Sequence, residues 1–300
     1  MRATWLMGGL AGLLVTCAAH AACPPGRFNR ADLDALKSAG FVVKADATRR
    51  ELAIGLLDCL AAPDPALRDG IAFEAYSTWM RAKAIPAPTL RRVSRSLQEA
   101  LHDAPDAAGF RQPFAALVLS EVARTDRIEP WMAVAARANL LRAAVEYMTS
   151  IRDYRGFDEQ EGWRHGVAHG ADLLMQLALN PALTRAQLDA ILAAVASQIA
   201  PRGDIFYRYG ESERLMRPVL FAASRKLHTE AEWSAWLATI ASPAPLADWS
   251  AALRTQGGLA KKQNTAAFLH ALYINVAESE DAAVRERMLP GLRAAVRTLP

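Results

Sequence analysis

TRAQLDAILAAVASQI, residues 184–199, decides the fold class. Thr184 followed three residues later by Gln187 has the form of a capping box, in which each side chain satisfies the other's backbone N–H. Leu188, Ile191, Leu192 and Val195 then recur at helical spacing, so one stripe of the helix faces a core. Thr229 with Glu232 and Thr48 with Glu51 repeat the signature. Asp64-Pro65 reads as a further start, with Pro at the first turn, and Gly40 marks where a helix from about Asn29 stops. The apolar period predicts more helices over 89–102, 113–124, 130–152, 158–179, 211–226, 261–278 and 281–299. No run alternates as a half-buried strand would; Phe206-Tyr207-Arg208-Tyr209, between Gly203 and Gly210, comes nearest. The expectation is an all-α protein of stacked antiparallel helix pairs, an α-solenoid of the HEAT or armadillo kind. An α/α toroid is the alternative.

The N-terminus reads as a secretory signal. Arg2 precedes an apolar run from Trp5 to Ala19, shorter than the roughly 20 residues of a membrane span, and Ala19-His20-Ala21 fits a signal peptidase. Residues 1–21 are thus expected to be removed before Ala22, leaving 22–300 as one helical-repeat domain in the periplasm or secreted, with no later membrane span. A lipoprotein anchored at Cys17, after Leu14-Val15-Thr16, is the competing reading. Export leaves Cys23 and Cys59, an even pair in an oxidising compartment and therefore a candidate disulfide. The whole chain carries a net charge of +4, with charges interspersed and basic runs no longer than Arg49-Arg50 or Lys261-Lys262. Without a concentrated patch, nucleic acid is not an expected partner.

Chemistry concentrates between residues 153 and 172: Asp153-Tyr154-Arg155-Gly156, then GWRHGVAHGAD over 162–172. At about 100° per residue, a helix brings His165, His169 and Asp172 within roughly 60° of one another, with Gly162 beside them. Trp163, Val167, Leu174 and Leu177 fall on the opposite, core-facing side. Two imidazoles one turn apart with a carboxylate could chelate a divalent metal and leave a position open for water. The same groups could line a metal-free pocket for hydrolysis or lyase chemistry, with Arg155 as an anion clamp, or satisfy buried polar groups around Asp153 and Arg155. Glu211, Glu213 and Arg214 open a later helix, from which Glu213 could reach the histidines as ligand or general base. Asn264 and His270 lie on another helix, and Glu74, Tyr76 and Trp79 suggest an inner polar surface. No G-x-S-x-G elbow, P-loop or G-x-G-x-x-G is present, which leaves serine-hydrolase and nucleotide-dependent readings without support.

These same blocks carry a family resemblance. Asp153-x-Arg155-Gly156, Gly162-Trp163-x-His165-x-x-x-His169-x-Ala171-Asp172 and Glu213-Arg214-Leu215 resemble the bacterial family known as domain of unknown function 2785. Leu67-Arg68-Asp69, the Trp79 helix and residues 264–273 are similar too, so the resemblance runs from about Asp46 to Glu278. It implies a HEAT-like helical fold and no particular activity. Two functions stand as expectations: a module binding a protein, peptide or small molecule on a concave face, and a hydrolase or lyase using His165, His169 and Asp172.

Overall fold

The computed structural model describes residues 23–300, and among them the protein is all-α apart from one two-stranded hairpin. The signal reading over 1–21 and the Cys17 anchor lie outside the described residues. The elements run α1 (Arg30–Ser38), α2 (Asp46–Gly55), α3 (Pro65–Leu67), α4 (Glu74–Arg81), α5 (Ala87–His102), α6 (Arg111–Ile128) and α7 (Val134–Ser150). Then follow β1 (Phe157–Asp158), β2 (Gly162–Trp163), α8 (Gly166–Ala178), α9 (Arg185–Ile199), α10 (Glu211–Ser224) and α11 (Glu230–Ile240). The last are α12 (Trp249–Ala252), α13 (Gln256–Ala277) and α14 (Ala282–Arg297).

Start signals explain most boundaries. Thr184 and Thr229 form reciprocal capping boxes with Gln187 and Glu232, and Asn29 forms one with Asp32. Asp64 caps α3 with Pro65 behind it, and Gly40 follows α1 with φ at +63°. The box expected at Thr48 does not form. Helix α2 already begins at Asp46, so Thr48 is inside it, and Glu51 instead holds Arg27 at 3.0 Å. Tyr76 and Trp79 do not form a polar surface but are core residues: the Tyr76 hydroxyl donates to the Ala53 carbonyl and the Trp79 indole to that of Phe41, each at 2.7 Å. His270 is exposed.

The helix expected over 158–179 is the largest departure. Asp158 accepts the backbone N–H groups of Gln160 and Glu161, an Asx-type turn that competes with helix formation. Gly162 and His165 both take positive φ, +74° and +57°, and helix α8 starts only after them. Phe157 pairs with Trp163 across the resulting hairpin. Trp163 therefore does not sit on the core side of a helix; it is 38% exposed.

Alternate helices pack on each other. Helices α4, α6, α8, α10 and α13 adjoin in succession, α2, α5, α7 and α9 form a second row, and α11 packs against α14. Helix α8 lies between α6 and α10 and is buried from Gly166 to Leu174. Its small residues permit this: a Cβ at Gly170 would press on Met148 and the Tyr147 ring. The hairpin is bound to the N-terminal part by Arg68, which is fully buried. Its guanidinium lies 3.8 Å from the Phe110 ring centre and donates to the carbonyls of Ala62 (2.9 Å) and Glu161 (2.7 Å). Arg164 covers the same Phe110 ring at 4.4 Å.

Cys23 and Cys59 form a disulfide across a sequence separation of 36, tying the N-terminal arm to the short helical turn at Asp58–Ala61, in which Cys59 and Leu60 are buried. Closing a loop of that length is expected to contribute about 3 to 4 kcal/mol. Urea unfolding of Cys59→Ser should show a loss of that size, and reductant should weaken the parent chain but leave the variant unmoved.

Candidate functional site

The site is assembled around the first turn of α8. Left-handed His165 precedes the helix and lays its ring on the Trp163 indole, with centroids 4.7 Å apart and planes 22° from parallel. His169 follows one turn later, its ring 5.9 Å from that of His165 and edge-on to Phe114 at 5.2 Å. His169 Nδ1 lies 3.2 Å from the Pro113 carbonyl, an acceptor, so this nitrogen carries the proton and donates. Asp172, a further turn on, meets Arg214 of α10 in a two-pronged ion pair: Nε donates to Oδ1 at 2.9 Å and Nη2 to Oδ2. Arg217 stands 4.0 Å from the same carboxylate.

Both imidazoles are held neutral. Burial is the largest cause for each, and the Arg214 charge adds to it; His165 falls to about 4, and His169, which also feels His165, to about 3. Burial also raises Asp172, and this outweighs the lowering by Arg214.

The expected set is thus only partly brought together. His165, His169 and Asp172 share one side of α8. Arg155 lies elsewhere, chelating Asp153 at 2.5 Å with its side chain half exposed. Glu213 is exposed on the outer side of α10. The carboxylate that does reach the histidines is Glu211, buried, with Oε1 3.8 Å from His165 Nε2. The sequence held the signal for this. Glu211 precedes buried Leu215 by four residues and shares its face, whereas Glu213 does not. Arg214 opens α10, but nothing in its spacing names Asp172 as its partner. Among the described residues, no group of three His, Cys, Asp or Glu side chains is placed to hold a metal ion, and Arg214 occupies both Asp172 oxygens.

A surface feature of the hairpin escaped the sequence pattern altogether. Phe157, Trp163 and Tyr209 are 46%, 38% and 40% exposed, yet they touch one another: Phe157 lies 4.9 Å from Trp163, and Tyr209 meets the indole at right angles at 5.7 Å. Two of the rings are backed from within. His165 backs Trp163, and Tyr209 lies against Gly156 so closely that a Cβ there would enter its ring. Asn264, buried, holds the strand of chain leading to Tyr209 by accepting from the Tyr207 N–H (3.0 Å) and donating to the Ile205 carbonyl (2.8 Å).

A family model described as protein of unknown function (DUF2785) matches residues 97–274. No curated protein and no solved structure matches the chain.

Because the two histidines are neutral in the folded protein and ordinary bases when unfolded, the unfolded state binds more protons below pH 6.5. Stability should be fully present above that pH and fall as pH drops toward 4, by up to about 1.4 kcal/mol per pH unit for each histidine. Denaturation at stepped pH checks this, and His169→Gln should flatten the slope by about half.

Proposed function

The chain belongs to the family described as protein of unknown function (DUF2785), and we propose that it is an exported binding module that engages a peptide segment of a partner protein on the Phe157–Trp163–Tyr209 platform. One observation carries this reading: three large rings contact one another and are left open to water, with His165 stacked behind Trp163. Isolated exposed apolar residues need no explanation, but a braced aromatic cluster has the composition of an interface anchor. The acidic turn Asp158-Glu159-Gln160-Glu161 beside it favours a segment carrying basic residues. The two rows of alternately packed helices support an α-solenoid scaffold, and the Cys23–Cys59 disulfide accords with a periplasmic or secreted setting.

A hydrolase or lyase reading has one observation in its favour. His165 Nε2 is buried without a hydrogen-bond partner and faces Glu211, the arrangement from which a substrate proton could be taken. A metal-dependent version would require Asp172 to exchange Arg214 for the cation. Elemental analysis of the untagged protein tests that version: about one equivalent of zinc, manganese or iron, lost with lowered melting temperature in chelator, would establish it.

Selection from a random peptide library tests the binding reading. It should return a consensus with basic and apolar positions, bound at micromolar strength, and Trp163→Ala or Tyr209→Ala should weaken it about thirtyfold, as loss of an aromatic anchor does. Peptides that ignore both substitutions, or no enrichment at all, would refute it.

A further inference from the structure

Helix α5 borders a second feature that neither the hairpin nor the histidines use. Two cavities adjoin along it, of about 400 and 410 Å3, and Trp131 lines both. The first is floored by Ile85, Leu90, Ile128 and Trp131, with Ile128 49% exposed, and is rimmed by the charged side chains of Arg81, Lys83, Arg124 and Glu129. The second lies between α5 and α7 and contains Arg91 and Arg95, one turn apart on α5, and Arg142 on α7. Among the described residues no carboxylate forms a salt bridge with any of these three arginines, although elsewhere the chain pairs its charges freely: Arg81 with Glu121, Lys83 with Glu129, Arg137 with Asp126. Glu99 is the one carboxylate lining the cationic cavity, against three guanidinium groups. Asn139 adds a side-chain amide to its wall.

The junction is fixed. The Trp131 indole donates to the Thr125 hydroxyl at 2.9 Å, and its backbone N–H donates to Asp126 at 3.0 Å. Along α5 the groove has two parts that share the Trp131 wall, the first with an apolar floor near the N-terminal end of the helix and the second cationic farther along it. Each half has the volume typical of a small-molecule site, roughly 300 to 1,000 Å3. Three arginines lining one cavity without a salt-bridge partner favour an oxyanion such as a phosphate, which Arg binds in a two-pronged fashion. The adjoining apolar floor favours a hydrocarbon attached to it. We infer that this groove binds a single-chain anionic amphiphile, its phosphate on Arg91, Arg95 and Arg142 and its chain along Leu90, Ile128 and Trp131.

Calorimetric titration with dodecyl phosphate below its micelle concentration tests the inference. One molecule should bind per chain. Dodecyltrimethylammonium should give no heat, and inorganic phosphate should bind at least about a hundredfold more weakly, because it lacks the chain that the apolar floor desolvates. The Arg95→Gln/Arg142→Gln double variant should lose about tenfold or more in affinity, and Ile128→Ser several-fold, both with unchanged melting temperature since all three side chains are exposed. No binding of dodecyl phosphate, or binding that both variants leave intact, overturns the inference. So does inorganic phosphate binding as tightly as the amphiphile. Adsorption to phosphatidylglycerol vesicles without binding of the monomer also overturns it, by showing a charged surface and not a groove site.

Discussion

A carboxylate on a helix buried along most of its length must meet a cation, and Asp172 of α8 meets Arg214 of α10. An unpaired charge in that position would cost several kcal/mol, so the two helices are bound to one relative rotation and translation. That registration has effects upstream. It places Glu211, one turn before Arg214, against His165, and it brings the loop before α10 close enough for Tyr209 to lie on Gly156. The Arg214 charge also helps keep both imidazoles neutral, which suits rings whose neighbours are Phe114 and Trp163. The same registration thus sets the positions of both histidines relative to Trp163 and Phe114.

The second anchorage is on the other side of the hairpin. Arg68 and Arg164 lie on the Phe110 ring, and Arg68 reaches across to the Glu161 carbonyl. Cation–π contact at a desolvated ring is stronger than at the surface, and here it covers two guanidinium groups that also donate to backbone carbonyls, Arg68 to that of Ala62 and Arg164 to that of Ala108. The hairpin is therefore clamped from beneath, while its outer rings stay in water.

The helices were legible because apolar periodicity and capping residues act locally, as at Thr184 and Thr229. The Cys23–Cys59 pair was legible once Cys17 was assigned to the export signal, which leaves two cysteines. The hairpin was not, because a helical wheel assumes helical dihedrals, and one Asx turn and two positive φ values suffice to end that assumption at residues 158–165. The error propagated: Trp163 was placed on the wrong side, and the exposed rings went unseen, since Tyr209 arrives from a segment 46 residues downstream of it in the sequence. His165, His169 and Asp172 still come together because helix α8 begins at Gly166, directly after the first of them, so the one-turn spacing from His169 to Asp172 is kept and His165 lies at its N-terminal end. What spacing within one helix could not reveal was Arg214, which answers Asp172 from a different helix.

The reach of Arg68 has a consequence for where this protein can be cut. The family match begins at residue 97, yet Arg68 supplies the cover for Phe110 and a donor for the Glu161 carbonyl, both well inside the matched stretch. At the other end, α14 closes over α11 and α13 beyond residue 274. A fragment trimmed to the shared stretch would leave an aromatic ring bare at one end and a helix face bare at the other. The statistical unit of recurrence and the physical unit of folding thus have different edges, and it is the longer one that would have to be expressed.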